Sequence, residues 1–231
     1  MEATGALFGI YDGELPPDFC RDVIDRFEAD PRKVKGMVGA GASGRVDNTV
    51  KATTEILLWT HGEGWEDVNR VIQASLRRRL NDYMRRWGPA FPIGIYPEEP
   101  RITRYREGEG FFAWHSDNIG RSPTRVITAI WYLNTVRVGG ETDYRWQDVA
   151  VKPVEGRLLL CPVGWPFLHR GNPPRSGPKY ILITQLHQAS PKAEHTEHVA
   201  ADGGEGSPAL TGAARGSGNS VPTRPRAEPS R

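Results

Sequence analysis

The feature that most constrains this chain is a set of metal-ligand side chains spread through residues 101–188. His115 and Asp117 stand two apart in RITRYREGEGFFAWHSDNIG, His169 follows in LLLCPVGWPFLHRGN, and Lys179 stands ten residues beyond it. Two imidazoles and one carboxylate on one face of an octahedral ion leave the opposite face open, which is the ligand set of a mononuclear non-haem Fe(II) site. The two-residue spacing suits a strand or its rim, where alternate side chains point the same way. A lone His-x-Asp occurs by chance in many chains, so the residues around it have to carry the reading.

Those residues are Tyr105, ten before His115, with Gly108 and Phe112 between; the HSDN run; Trp131-Tyr132-Leu133-Asn134; Gly139-Gly140-Glu141-Thr142; and His169 with Lys179. In this order the stretch resembles the 2-oxoglutarate- and Fe(II)-dependent dioxygenases, in their prolyl 4-hydroxylase-like branch. The resemblance spans about residues 5–188, by motif from 101 and by pattern before it. It implies Fe(II), 2-oxoglutarate and O₂, with ascorbate as a candidate reductant, and His115, Asp117 and His169 as the metal ligands. It further implies hydroxylation of an unactivated C–H with release of succinate and CO₂. Related halogenases replace the carboxylate with a small residue; here Asp117 is retained, which favours hydroxylation.

The buried C5 carboxylate of 2-oxoglutarate needs a cation, because an unpaired charge in an apolar cup is very costly. Lys179 fits that role. The resemblance makes Tyr132 the matching hydrogen-bond donor and places Tyr105 against the co-substrate; Thr184 is a weaker candidate. On the substrate side, Ile183, Gln185 and Trp146 are expected to face the cup. Arg125 or Arg145 could pair a substrate carboxylate, although exposed arginines are common. The substrate class implied is a peptidyl residue of prolyl type or an amino-acid-like small molecule. A peptide would need an open groove edged by the loops at 36–48 and 118–125.

Two other readings compete. Trp114-His115-Ser116-Asp117 is also similar to the nucleic-acid dealkylases, which act on flipped bases. That branch closes with paired arginines, whereas this chain continues Lys179-Tyr180-Ile181-Leu182-Ile183-Thr184-Gln185-Leu186, so nucleic acid is disfavoured. A cupin-type metal-binding jelly roll that does not use 2-oxoglutarate is the second. Lys179, Tyr132 and the GGET turn argue against it.

The rest of the chain reads as scaffold. Its 231 residues fit one domain plus extras. Residues 7–13 form an expected strand and 14–31 a helix opened by Pro16-Pro17, with Phe19, Val23 and Phe27 on one face. The glycine-rich 36–48 reads as a loop and 52–59 as a strand. Residues 64–87 give the clearest helix, striped by Trp65, Val68, Ile72, Leu76, Leu80, Tyr83 and Trp87. Its arginines, interspersed with acids, read as a solvated face. A proline-rich link, 89–100, leads to short strands in which Val126, Thr128, Ile130 and Tyr132 share one face and Trp131 the other.

Many short strands, few helices and a triad at the mouth define the expected fold: mainly β with flanking helices (α+β) around a double-stranded β-helix, or jelly roll. Residues 1–100 would support the 101–189 catalytic core. Residues 190–231 lack aromatics, are rich in Gly, Ala, Pro and Ser, and read as disordered, with His195 and His198 accidental. A net charge of +2 argues for neither nucleic acid nor membrane. Cys20 and Cys161 make no disulfide framework, and no leader or apolar span is evident, so a cytoplasmic setting is expected.

Overall fold

A computed structural model describes residues 7–39, 44–60, 62–87, 94–118 and 123–188. The expected tail from 190, with His195 and His198, lies outside the described residues. In chain order the elements are β1 (Gly9–Tyr11), α1 (Pro17–Ala29), β2 (Val34–Lys35), β3 (Thr54–Leu57), α2 (Glu66–Trp87), β4 (Ile95–Pro97) and β5 (Arg101–Tyr105). There follow β6 (Phe111–His115), β7 (Arg125–Tyr132), β8 (Thr142–Tyr144), β9 (Val149–Val151), β10 (Leu158–Pro162), β11 (His169–Gly171) and β12 (Lys179–Gln188).

The strands form two antiparallel sheets. The larger runs β1-β10-β7-β12-β5-β3-β2, and β4 also pairs with β12. The smaller runs β6-β11-β8-β9. This mostly β architecture, with two helices on the outer side of the larger sheet, is the expected double-stranded β-helix class.

Period-two alternation sorts the larger sheet's side chains between two cores. From β7 and β12, Ala129, Trp131, Leu182 and Leu186 join Val23 and Phe27 of α1 and Val68, Ile72 and Leu76 of α2 in an outer core. Ile130, Tyr132 and Ile181 face the other way, into an inner core with Tyr105, Tyr144, Leu159 and Cys161. Trp131 thus lies opposite Tyr132, as its neighbours' pattern predicts, and its indole N–H donates to Ser75 of α2 at 2.9 Å. Both cysteines are free and buried.

α2 presents the expected apolar stripe, but its arginines are not all solvated. Arg79 Nε donates to Glu14 at 2.6 Å and Arg78 also bonds Glu14, a carboxylate almost fully buried. The proline-rich link also holds more structure than expected. β4 pairs with the second half of β12 while β5 pairs with the first half, so Glu98, Glu99 and Pro100 bridge a break between two strands that share one partner. No described helix is long and apolar enough to cross a membrane.

Candidate metal centre and co-substrate cavity

His115 ends β6 and His169 begins β11, and the two are direct partners across the smaller sheet. Asp117 lies just past β6, where the chain turns toward the larger sheet. Its Oδ1 and Oδ2 stand 3.7 Å from His115 Nε2 and His169 Nε2 respectively. One ligand atom from each residue lies within 4.8 Å of the others.

Each histidine ring is turned by the same device. His115 Nδ1 donates to Ala113 O at 3.0 Å and His169 Nδ1 to Phe167 O at 3.1 Å. A carbonyl only accepts, so the proton sits on Nδ1 and the Nε2 lone pair faces Asp117, as metal ligation requires. Phe111 stacks on His115 with centroids 3.6 Å apart and planes 11° from parallel. Burial, then the neighbouring His169, pushes His115 down to about 4, so its ring is neutral near pH 7. Burial disfavours the charge on Asp117, but His169, His115 and the Thr128 hydroxyl outweigh it and hold the carboxyl well below the usual range. Thr128 Oγ1 donates to Asp117 Oδ2 at 2.5 Å, and Arg125 donates to the Asp117 carbonyl at 3.1 Å. The triad therefore presents two imidazole Nε2 atoms and one carboxylate, a donor set that fits Fe(II).

The same cavity is lined by Lys51, Glu55, Arg101, Thr103, Tyr105, Phe111, Thr142, Lys179 and Gln185 among others. Lys179 is 2% exposed. Its Nζ donates to Gly140 O at 2.9 Å and lies 4.3 Å from the Tyr105 ring centroid, and among the described residues no carboxylate forms an ion pair with it. Burial lowers it to about 7. Thr103, also lining the cavity, has a buried Oγ1 with no hydrogen-bond partner among the described residues. Among the described residues, a buried ammonium with no ion-pair partner and a hydroxyl with no hydrogen-bond partner share one cup, and they fit a carboxylate-bearing co-substrate. The GGET turn serves this corner: Gly139 takes φ +74°, and a Cβ there would stand 2.4 Å from Pro173 O.

Several expected positions need correction. Tyr105 lines the cavity as expected. Tyr132 points inward, but its hydroxyl bonds Thr142 Oγ1 at 2.8 Å, and it is Thr142 that lines the cavity. Thr184 faces away from the cavity: it lies an odd number of residues from Lys179 on β12, and its hydroxyl donates to Glu98 O at 2.8 Å. Gln185 lines the cavity, whereas Trp146 is 61% exposed and packs against Arg145. Arg125 is occupied by Glu98, which accepts from its Nε and Nη2 at 2.9 and 2.7 Å. Arg145 lies over the Trp114 and Trp146 rings.

Motif reading missed Lys51, Glu55, Arg101 and Thr103. The last two were within reach, because Arg101, Thr103 and Tyr105 alternate on β5, so a Tyr105 facing the cup brings both with it. Lys51 and Glu55 carried no signal, as their segment has no motif.

Residues 100–187 match the model of the 2OG-Fe(II) oxygenase superfamily. This core is a 2OG-Fe(II) oxygenase domain. It uses Fe(II), 2-oxoglutarate and O₂. No curated protein matches the chain. Among solved structures, the oxygenase is similar to a viral collagen prolyl hydroxylase of Paramecium bursaria Chlorella virus-1, crystallised as a 2-oxoglutarate complex. The identity is 20%, over 80% of this chain and 98% of that one, with a TM-score of 0.58. A Trichoplax adhaerens prolyl hydroxylase, in complex with a hypoxia-inducible-factor peptide fragment, aligns at 18% identity over 80% and 84% of the chains, TM-score 0.64. A Pseudomonas putida prolyl 4-hydroxylase aligns at 15% over 80% and 95%, TM-score 0.54. The oxygenase thus has the prolyl 4-hydroxylase fold.

Proposed function

We propose that this oxygenase hydroxylates an unactivated C–H of a peptidyl residue of prolyl type, or of an amino-acid-like small molecule. The observation that carries this is the convergence in one cavity of His115, Asp117 and His169 with the buried Lys179, which forms no ion pair among the described residues. Iron with 2-oxoglutarate and O₂ supplies the oxidising power there and yields succinate and CO₂.

The chain's own residues place and shield. His115 and His169 offer Nε2 because backbone carbonyls hold their Nδ1 protons. Thr128 orients the Asp117 carboxylate, and Arg125 fixes the backbone that carries it. Lys179 takes the C5 carboxylate of 2-oxoglutarate, with Tyr105 and the orphan hydroxyl of Thr103 beside it. Ile130, Ile181 and Ile183 line the same cavity and limit water, which strengthens every charge interaction inside. The retained Asp117 carboxylate supports hydroxylation over halogenation. The peptide held by the Trichoplax neighbour supports a peptide substrate, and the unpaired buried cysteines suit a reducing, cytoplasmic setting.

The test is oxygenation of a panel of proline-containing peptides, free amino acids and methylated oligonucleotides by the full-length protein with Fe(II), 2-oxoglutarate and O₂. A peptide or amino acid should gain the mass of one oxygen in step with succinate. Dealkylation of the oligonucleotides with nothing else altered would replace this reading with the dealkylase one.

A further inference from the structure

Among the described residues, five charged ones line the cavity: Lys51, Glu55, Arg101, Asp117 and Lys179. Their charges do not cancel once the site is filled. The Asp117 anion leaves a divalent ion with one net positive charge, which the C1 carboxylate of 2-oxoglutarate offsets. Lys179 offsets the C5 carboxylate. Glu55 can neutralise only one of Lys51 and Arg101, so one positive charge remains beside the metal. An uncompensated charge in a half-enclosed site is costly and is normally met by a counter-ion.

The geometry says which cation is left over. Lys51 Nζ stands 2.5 Å from Glu55 Oε1, and both side chains are 8% exposed. Among the described residues, Arg101, at 22%, makes only long polar contacts: 3.4 Å to Gln185 Oε1, 3.6 Å to Glu98 Oε1 and 3.9 Å to Glu55 Oε2. Glu98 is already held by Arg125 and by His187 Nε2 at 2.9 Å. The guanidinium therefore has its strongest hydrogen bonds still to make. It opens β5 on the same face as Thr103 and Tyr105. Tyr105 is the strand partner of Lys179, which puts Arg101 about 13 Å along the strand from the co-substrate's anchor. Gln185, opposite Thr128 on β7, sits beside Arg101 and faces the cavity with it.

We propose that Arg101 is the receptor for a carboxylate carried by the substrate, with Gln185 beside it. The hydroxylated molecule is then one that presents a free carboxylate next to the reacting C–H: a free amino acid, or a peptide through its own carboxylate. Arg125 and Arg145, the arginines the sequence suggested for this task, are engaged elsewhere. The inference rests on the oxygenase reading of the cavity.

The test is calorimetry on the full-length protein loaded with Mn(II) and 2-oxoglutarate, in which no turnover is needed. The probes are the common L-amino acids, their carboxamides, and prolyl dipeptides with free or amidated C-termini. The wild type should bind at least one acid about tenfold or more tightly than its amide, since a charge-assisted pair is lost in the amide. Arg101→Gln should abolish that preference while still binding 2-oxoglutarate, and Arg101→Lys should retain part of it. A free amino acid outbinding its dipeptide assigns a small-molecule substrate, and the reverse order assigns a peptide. Equal binding of acid and amide, a preference that survives Arg101→Gln, or no binding by any carboxylate probe overturns the proposal. Failure of 2-oxoglutarate itself to bind sinks the reading of the cavity as well.

Discussion

Thr128 does its work through a single hydroxyl. It joins the Asp117 carboxylate to β7 across the gap between the sheets, so the proposed third metal ligand is aimed by the sheet that also carries Lys179, the proposed co-substrate anchor. Replacing Thr128 with Val keeps the shape and removes the bond. Metal affinity should fall about 10–100-fold, the usual cost of losing such a partner, with little change in melting temperature. Equal Mn(II) affinity in the variant would show that Asp117 needs no such support. Lys179 gives a pH prediction with a definite sign. Burial brings the free ammonium down to about 7, and a bound carboxylate favours its protonated form. Above that pH, 2-oxoglutarate must bring a proton with it, so its dissociation constant should rise about tenfold per unit until the raised bound-state value is reached. Below it the affinity should be flat. Lys179→Arg, whose charge does not titrate in this range, should level the profile; a level profile in the wild type would place the co-substrate's carboxylate elsewhere.

At the scale of elements, strand alternation explains both what the sequence disclosed and what it hid. Most of β7 was legible because Thr128, Ile130 and Tyr132 alternate with Ala129 and Trp131, and the structure puts the second set in the outer core. Val126, expected to share the face of Tyr132, instead packs against that outer core, at the end of β7 where its pairing with β12 shifts register. The His-x-Asp spacing and the Lys179 position were legible because each depends only on local geometry and motif order. Thr184 was misassigned because β12 is buried on both faces, so hydrophobicity alone does not show which residues face inward. Lys179, Ile181, Ile183 and Gln185 line the cup, and Thr184 instead ties down the Glu98 bridge between β4 and β5. That bridge was invisible as structure because its prolines suggested a link. The stripe on α2 packs into the outer core against the larger sheet, which also yields a prediction. Ile72→Ala should cost about 2–5 kcal/mol in denaturant unfolding. Its folded fraction should still bind Mn(II) as the wild type does; a matched loss of metal binding would mean that α2 shapes the site directly.

For the molecule as a whole, the site is built from both sheets: His115 and His169 from one, Thr128, Tyr105, Arg101 and Lys179 from the other. Its ligands should therefore lock the two together. At about a hundredfold excess over its dissociation constant, a ligand that binds only the folded state stabilises by about 2.7 kcal/mol. Mn(II) with 2-oxoglutarate should accordingly raise the melting temperature by about 5–10 °C, and Lys179→Met should remove the 2-oxoglutarate part of that gain. The measurement that bears most directly on the site is succinate formed from 2-oxoglutarate by the full-length protein. It would be loaded with Fe(II), given O₂ and the best ligand of the panel, and set beside His169→Ala. Succinate in the wild type that requires iron and disappears in the variant is the expected result. Succinate formed equally by both, or by neither while the wild type holds iron and 2-oxoglutarate, would contradict the assignment of His115, Asp117 and His169 as the working metal centre.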